Sequence, residues 1–287
     1  MMEAVPDWIL AMFELKKGAL YVVATPIGNL GDLSTRARDV LAGADLICAE
    51  DTRHTRQMLN ALGLDRPLLA LHEHNESERV AQVLAQLQSG KTLALVSDAG
   101  TPLISDPGYR LVRELRAAGI TVSPIPGPCA AIAALSVAGL ASDRFCFEGF
   151  PPHKASARRE RLNALAGETR TLVFYESSHR IEECLSDMRA AFGDEREAVL
   201  AREITKLFET VLDGTLASIA DRVAADANQR KGEFVIIVSG APEDEDAALR
   251  EGRRLYAKLS EAMKPSQAAK LAAEISGAPR KALYGGE

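Results

Sequence analysis

Short apolar runs along the first half of the chain end repeatedly in loops of Gly, Pro, Ser and Asp, and a helix-forming stretch follows. The sharpest case is Ser97–Gly108 (SDAGTPLISDPG), which follows the apolar run Thr92–Val96. Its composition is turn chemistry. A helix is expected to open near Pro107, where a missing N–H costs nothing. Thr25–Asp32 (TPIGNLGD) follows Leu20–Ala24 in the same way, and Pro124–Cys129 (PIPGPC) follows Ile120–Ser123. A strand that runs into a rigid loop with exposed amides is a common ligand-holding device of open α/β sheets. Three such loops favour a ligand-binding enzyme over a passive scaffold.

The pattern alternates from residue 18 onward. Strands are predicted at 19–25, 45–50, 68–72, 92–96 and 121–126. Helices are predicted from a Ser34 cap to 42, and over 52–62, 77–88 and 107–118. Such alternation implies a mostly parallel sheet covered on both faces. Beyond Cys129 a small-residue helix is followed by strands at 145–150, 171–176, 198–202, 208–213 and 233–239. Helices fall at 156–166, near 215–225 and after FYESSHR, the last capped by Ser177 or Ser178. More strands per helix predict a mixed sheet here. The expected organisation is an extension over 1–17, an N-terminal α/β domain over 18–126 on the substrate side, and a second α/β domain over 127–240. An acidic linker and helical tail then occupy 241–287.

Composition sets limits. A chain of 287 residues, 47% hydrophobic and 26% charged, is long enough for two cores and ordinary for a soluble globular protein. A net charge of -6 argues against indiscriminate nucleic-acid binding and leaves a local basic patch open. Cys48, Cys129, Cys146 and Cys184 lack ligand or disulfide spacing and read as reduced thiols of a cytoplasmic chain. His72 and His74 flank Glu73, and His179 stands alone, so no metal is expected. The N-terminus does not read as a signal peptide, and no apolar run approaches a membrane span.

Taken together, LYVVATPIGNLGDLS, AEDTRHTRQML, LVSDAGTPLISDPGYRLV, PIPGPCAAIAAL, EGFPPHK and FYESSHR resemble the RsmI family. Its members are bacterial methyltransferases of the tetrapyrrole-methylase superfamily, which act on small-subunit ribosomal RNA. The resemblance covers about 18–240, and the tail KPSQAAKLAAEISGAPRKALY resembles the family's small C-terminal helical module. It implies the class III methyltransferase fold of two α/β domains, with S-adenosyl-L-methionine held in the cleft between them. A homodimer and 2′-O-methylation of a cytidine ribose in the decoding region are also implied. On this resemblance Gly100, Thr101, Pro102 and Ile104 wrap the cofactor, with Thr101 where many superfamily members carry Asp. Cys129 and Ala130 add contacts, and Tyr175, Ala201 and Phe234 match positions that line the adenosine pocket in relatives.

A ribose hydroxyl needs a proton acceptor to become a good nucleophile. Glu50, Asp51, His54, Asp98, Asp106 and Glu176 all fall near predicted strand ends. Glu50 and Asp51 lead as catalytic candidates, with Arg53 placed on a phosphate; Asp51 as a plain helix cap is the competing reading. The run His153–Arg161 makes Lys154, Arg158, Arg159 and Arg161 the main RNA-contact candidates. Arg56 and the tail residues Lys264, Lys270, Arg280 and Lys281 are secondary ones. The expected partner is small-subunit ribosomal RNA or the assembled subunit. Two alternatives stand beside this: a methyltransferase of the same fold acting on a tetrapyrrole or other small molecule, and a non-catalytic RNA-binding assembly factor.

Overall fold

Residues 14–72, 75–242 and 247–283 are described by this computed structural model. Most of the expected N-terminal extension, His74 with Glu73, much of the acidic linker and the last residues of the tail lie outside them. In the first half the chain runs β1 (Ala19–Val23), α1 (Thr35–Gly43), β2 (Leu46–Ala49), α2 (Thr52–Ala61) and β3 (Leu68–Ala70). It continues through α3 (Glu76–Gln88), β4 (Leu93–Val96), α4 (Tyr109–Ala117) and β5 (Thr121–Ile125). The sheet order is β3-β2-β4-β1-β5, with every pair parallel. Strand parity explains its two cores. Ala19, Tyr21 and Val23 face one way, against Val40 and Leu41 of α1 and Leu59 of α2. Leu20, Leu93 and Leu95 face the other, against Val83 and Leu87 of α3 and Leu111 and Leu115 of α4.

The second half adds α5 (Ala130–Val137), β6 (Phe145–Gly149), α6 (Ala155–Ala164), β7 (Thr171–Ser177), α7 (Ile181–Phe192) and β8 (Glu197–Arg202). Then come β9 (Thr210–Thr215), α8 (Leu216–Ala225) and β10 (Glu233–Val238). Their sheet runs β6-β7-β10-β8-β9. It is mixed, because β6 pairs β7 in parallel while the other pairs are antiparallel. One face packs on α6, α7 and α8 through Leu162, Leu185, Met188 and Ile219. The opposite face packs on the small-residue helix α5 through Ala131, Ala134 and Leu135.

Both sheets belong to one compact unit that ends at Gly240, and residues from Ala241 form another. The latter holds α9 (Ala247–Ser260), α10 (Pro265–Ser276) and α11 (Arg280–Leu283) around Ala272, Ala278 and Leu283. Among the described residues no helix is long and apolar enough to cross a membrane.

Three local expectations are corrected. Helix α4 opens at Tyr109 rather than Pro107, after Gly108 as N-cap at φ 121°. Neither Ser177 nor Ser178 caps α7; Arg180 occupies the N-cap without a side-chain bond, because Ser177 is still in β7 and turns to Glu176. Arg158 is not available to RNA. It is 2% exposed, donating Nε to Asp187 at 2.7 Å and Nη2 to Glu183 at 3.2 Å, and so bolts α6 to α7. Leu162, four residues on, shares its inward face. Arg158→Ala would leave Asp187, whose side chain is 12% exposed, with only the looser Arg159 at 3.8 Å, at a cost of roughly 3 kcal/mol. We expect a melting temperature lower by roughly 5–10 °C for a chain of this size. Arg159→Ala, at a side chain 57% exposed, leaves melting unchanged. Equal melting of the two variants in calorimetry contradicts this assignment.

Candidate active site

In a parallel sheet all loops that follow strands emerge at one edge, and ligands gather there. The loops after β1, β2, β4 and β5 meet at this edge and are tied to one another. Thr25 N–H donates to the Gly100 carbonyl at 2.8 Å, and Gly100 N–H returns to the Thr25 carbonyl at 3.0 Å. Thr101 Oγ1 donates to the Pro128 carbonyl at 2.9 Å, so Thr101 links the loops that follow β4 and β5. Asp51 N–H donates to Asp98 Oδ1 at 3.0 Å, joining the ends of β2 and β4. Gly100 sits at φ 82°, and Leu103 and Ser105 in the same loop also adopt positive φ, at 73° and 67°. Positive φ in non-glycine residues is strained and collects at functional loops.

These loops form one wall of a cleft of about 340 Å³, and the strand ends of the mixed sheet form the other. Gly100, Thr101, Ile104, Cys129, Ala130 and Tyr175 all line it, as do Glu50, Asp98, Asp106 and Glu176. Pro102 is buried and does not reach the cleft. Ala201 is wholly buried under α5. Phe234 lines the cleft, but its side chain lies in the core beneath α6–α8, so by strand parity Val235 presents the side chain there. Tyr175 accepts a hydrogen bond at Oη from Ala131 N–H at 3.1 Å, fixing its ring at the start of α5. Sequence reasoning missed Ile27, Phe150, Ile204 and Lys206 as lining residues.

The wall is strongly acidic. Glu176 is buried and paired with Arg180 at 2.7 Å through Oε1, while its Oε2 has no partner among the described residues. Asp106 Oδ2 is likewise buried without a partner. Burial pushes the Asp106 carboxyl up to about 6; a hydrogen bond with Ser97 opposes this, and the charges of Glu50 and Asp98 add to it. Glu50 is raised as well, first by burial and then by Asp98. Asp51 behaves oppositely. It caps α2 by accepting from Arg53 N–H at 2.8 Å and holds the Arg53 guanidinium at 2.8 and 3.2 Å. Those bonds keep its carboxyl well below the usual range. Asp51 is outside the cleft lining, so of the two leading candidates only Glu50 faces the cavity. The Arg53 side chain is 88% exposed and is also outside the cleft lining. Lys154 and Arg159 are exposed on the start of α6, and Arg161 beside them pairs with Glu148.

This architecture, strand-end loops of a parallel sheet facing a mixed sheet across a cleft, is that of the class III methyltransferases. Residues 19–220 match the family described as Tetrapyrrole (Corrin/Porphyrin) Methylases. Among solved structures, a uroporphyrin-III-C-methyltransferase from Thermus thermophilus superposes with TM-score 0.54 at 21% identity, covering 78% of this chain and 94% of its own. The methyltransferase CobJ gives TM-score 0.58 at 21% identity, over 78% and 95%. At such identity these establish the fold alone. Residues 245–285 match the RsmI C-terminal HTH domain.

Curated relatives narrow the class. The ribosomal RNA small subunit methyltransferase I of Xylella fastidiosa is 66% identical over 94% of this chain and 98% of its own length. That of Pseudomonas aeruginosa is 53% identical over 94% and 96%, and that of Escherichia coli O157:H7 52% identical over 93% and 94%. The chain belongs to the ribosomal RNA small subunit methyltransferase I (RsmI) family.

Proposed function

We propose that this chain transfers the methyl group of S-adenosyl-L-methionine to the 2′-oxygen of a cytidine ribose in the decoding region of small-subunit ribosomal RNA. The observation that carries the reading is the acidic cleft at the glycine/proline loops, found in a chain of this family. The donor fits the residues present. It carries a sulfonium and an ammonium, and besides Asp106 the wall offers the carboxylates of Glu50, Asp98 and Glu176, with Glu176 Oε2 buried and without a partner among the described residues. When bound it supplies an already activated methyl group. Gly100, Thr101 and Ile104 on one side, and Cys129, Ala130 and Tyr175 on the other, would hold it.

The protein's remaining tasks are positioning and proton removal. Asp106 is the proton acceptor in this reading, in place of Asp51. Asp106 lines the cavity, its buried Oδ2 has no partner among the described residues, and burial lifts its carboxyl to about 6, so at pH 7 it is deprotonated and able to accept a hydroxyl proton. Arg53, Lys154, Arg159 and Arg161, exposed outside the cleft lining, are the phosphate contacts in this reading. The reading also carries the cytoplasmic location expected from the cysteines and the homodimer that the resemblance implies, the latter checked by light-scattering mass.

The test uses labelled S-adenosylmethionine and small subunits from a strain lacking this protein. Label on one cytidine that resists base hydrolysis is the expected result. Label on a base, or none, refutes the reading.

A further inference from the structure

Phe150 is a large aromatic side chain that the fold leaves 52% exposed at the edge of the cleft it lines. An exposed phenyl ring is unremarkable on a loose loop. Here the backbone around it is fixed. The pairing of β6 with β7 shifts register between Phe147 and Gly149, and a bulge of this kind re-aims the side chains beyond it. Gly149 then turns the chain at φ 64°, where a Cβ would stand 3.1 Å from Ser105 Oγ of the opposite wall. Immediately after Phe150, the Pro151 carbonyl accepts from Arg180 Nη1 at 3.0 Å, and Arg180 is itself anchored on buried Glu176.

The ring is also braced from behind. Its centroid lies 5.5 Å from that of Tyr175 at an interplanar angle of 61°. Tyr175 packs edge-on against Phe147 at 4.9 Å. Edge-to-face pairs hold rings in a defined orientation. Lys154 follows at the N-cap of α6, exposed to solvent.

We propose that Phe150 is the stacking platform for the target nucleotide: the base leaves its RNA stack and lies on this ring, while Lys154 meets a neighbouring phosphate and the ribose points down the cleft. The inference rests on the RNA methyltransferase reading above. In this proposal the nucleotide leaves its stack so that its ribose reaches into the recessed cleft, as enzymes that act on bases extrude their targets. An aromatic face is the usual surface that receives an unstacked base, and it does so for any base. Phe150 thus positions the substrate without reading its identity.

The experiment compares Phe150→Ala, Phe150→Leu and Phe150→Trp with the wild-type chain. Unmethylated small subunits serve as substrate, and donor affinity is measured separately by calorimetry. Loss of one stacked base corresponds to roughly a 10- to 100-fold change. The Ala and Leu variants are expected to raise KM for the subunit by that factor. Their donor Kd stays within about two-fold and their melting temperature is unchanged, because stacking and not bulk is what is lost. Phe150→Trp retains wild-type KM within about three-fold, since every base can stack on indole. A Leu variant as good as wild type reduces the ring to apolar packing and overturns the proposal. So does a donor Kd that rises in step with KM, which would assign Phe150 to the donor. Wild-type chain that labels no subunit overturns this proposal together with the functional reading. Labelling by wild type with an unaffected Ala variant overturns the platform alone.

Discussion

Asp106→Asn is expected to lower kcat by about 100-fold or more, the usual contribution of a positioned general base, while KM for the ribosomal substrate changes little. The wild-type rate should depend on pH in a defined direction. The carboxyl is raised to about 6 by burial beside Glu50 and Asp98, and only its deprotonated form accepts a proton. Activity therefore climbs through pH 6, levels above about pH 7, and is lost towards pH 5. The Asn variant has no such acid limb. Glu50 is raised for the same reasons and shares the cavity, so it supplies the control. If Asp106→Asn keeps the rate and the limb while Glu50→Gln loses both, the proton goes to Glu50. Asp51→Asn should leave the profile in place, because that carboxylate is occupied by Arg53 and by the first turn of α2.

Much of this was legible in the residues themselves. Continuous apolar runs and glycine/proline punctuation indicated strands, their order of types and the parallel first sheet, because each strand had to be apolar on two faces to be covered on both. The motif set led to the family, which the comparisons support over nearly the whole chain. What stayed hidden depends on direction in space. In the run from Lys154 to Arg161 the charges look alike, yet a helix turns Arg158 inward onto Asp187 and leaves Arg159 outside. The apolar Leu162 one turn later was the available signal. Asp51 and Asp106 are both turn-forming acids near strand ends. The fold decides for the cap reading of Asp51 and shows that Asp106, at the cavity, keeps a buried oxygen without a partner among the described residues. Phe150 carries no periodic signal, since its orientation comes from a bulge and a positive-φ glycine.

Gly100→Arg should remove measurable binding of S-adenosylmethionine, a loss of about 100-fold or more in affinity, in a chain that still folds. The argument begins with backbone. At φ 82° any residue with a Cβ is strained by roughly 1–2 kcal/mol, which lowers the melting temperature by a few degrees in both Gly100→Ala and Gly100→Arg. The Ala variant isolates that term. Its Cβ would stand 3.3 Å from Ile27 Cγ2 and 3.7 Å from the Pro128 carbonyl, close enough to require a small shift but not to close the cleft. Arginine continues from the same point, between two loops that are bonded to each other through Gly100 and Thr101. Its stem has to enter the cavity or part those loops, and either course destroys the surface that faces the donor. Its charge acts in the same sense, because a guanidinium among Asp98, Asp106 and Glu50 satisfies the carboxylates that would attract a cationic ligand. Comparable donor affinity in the Ala and Arg variants, with both folded, would remove the Gly100 loop from the binding site.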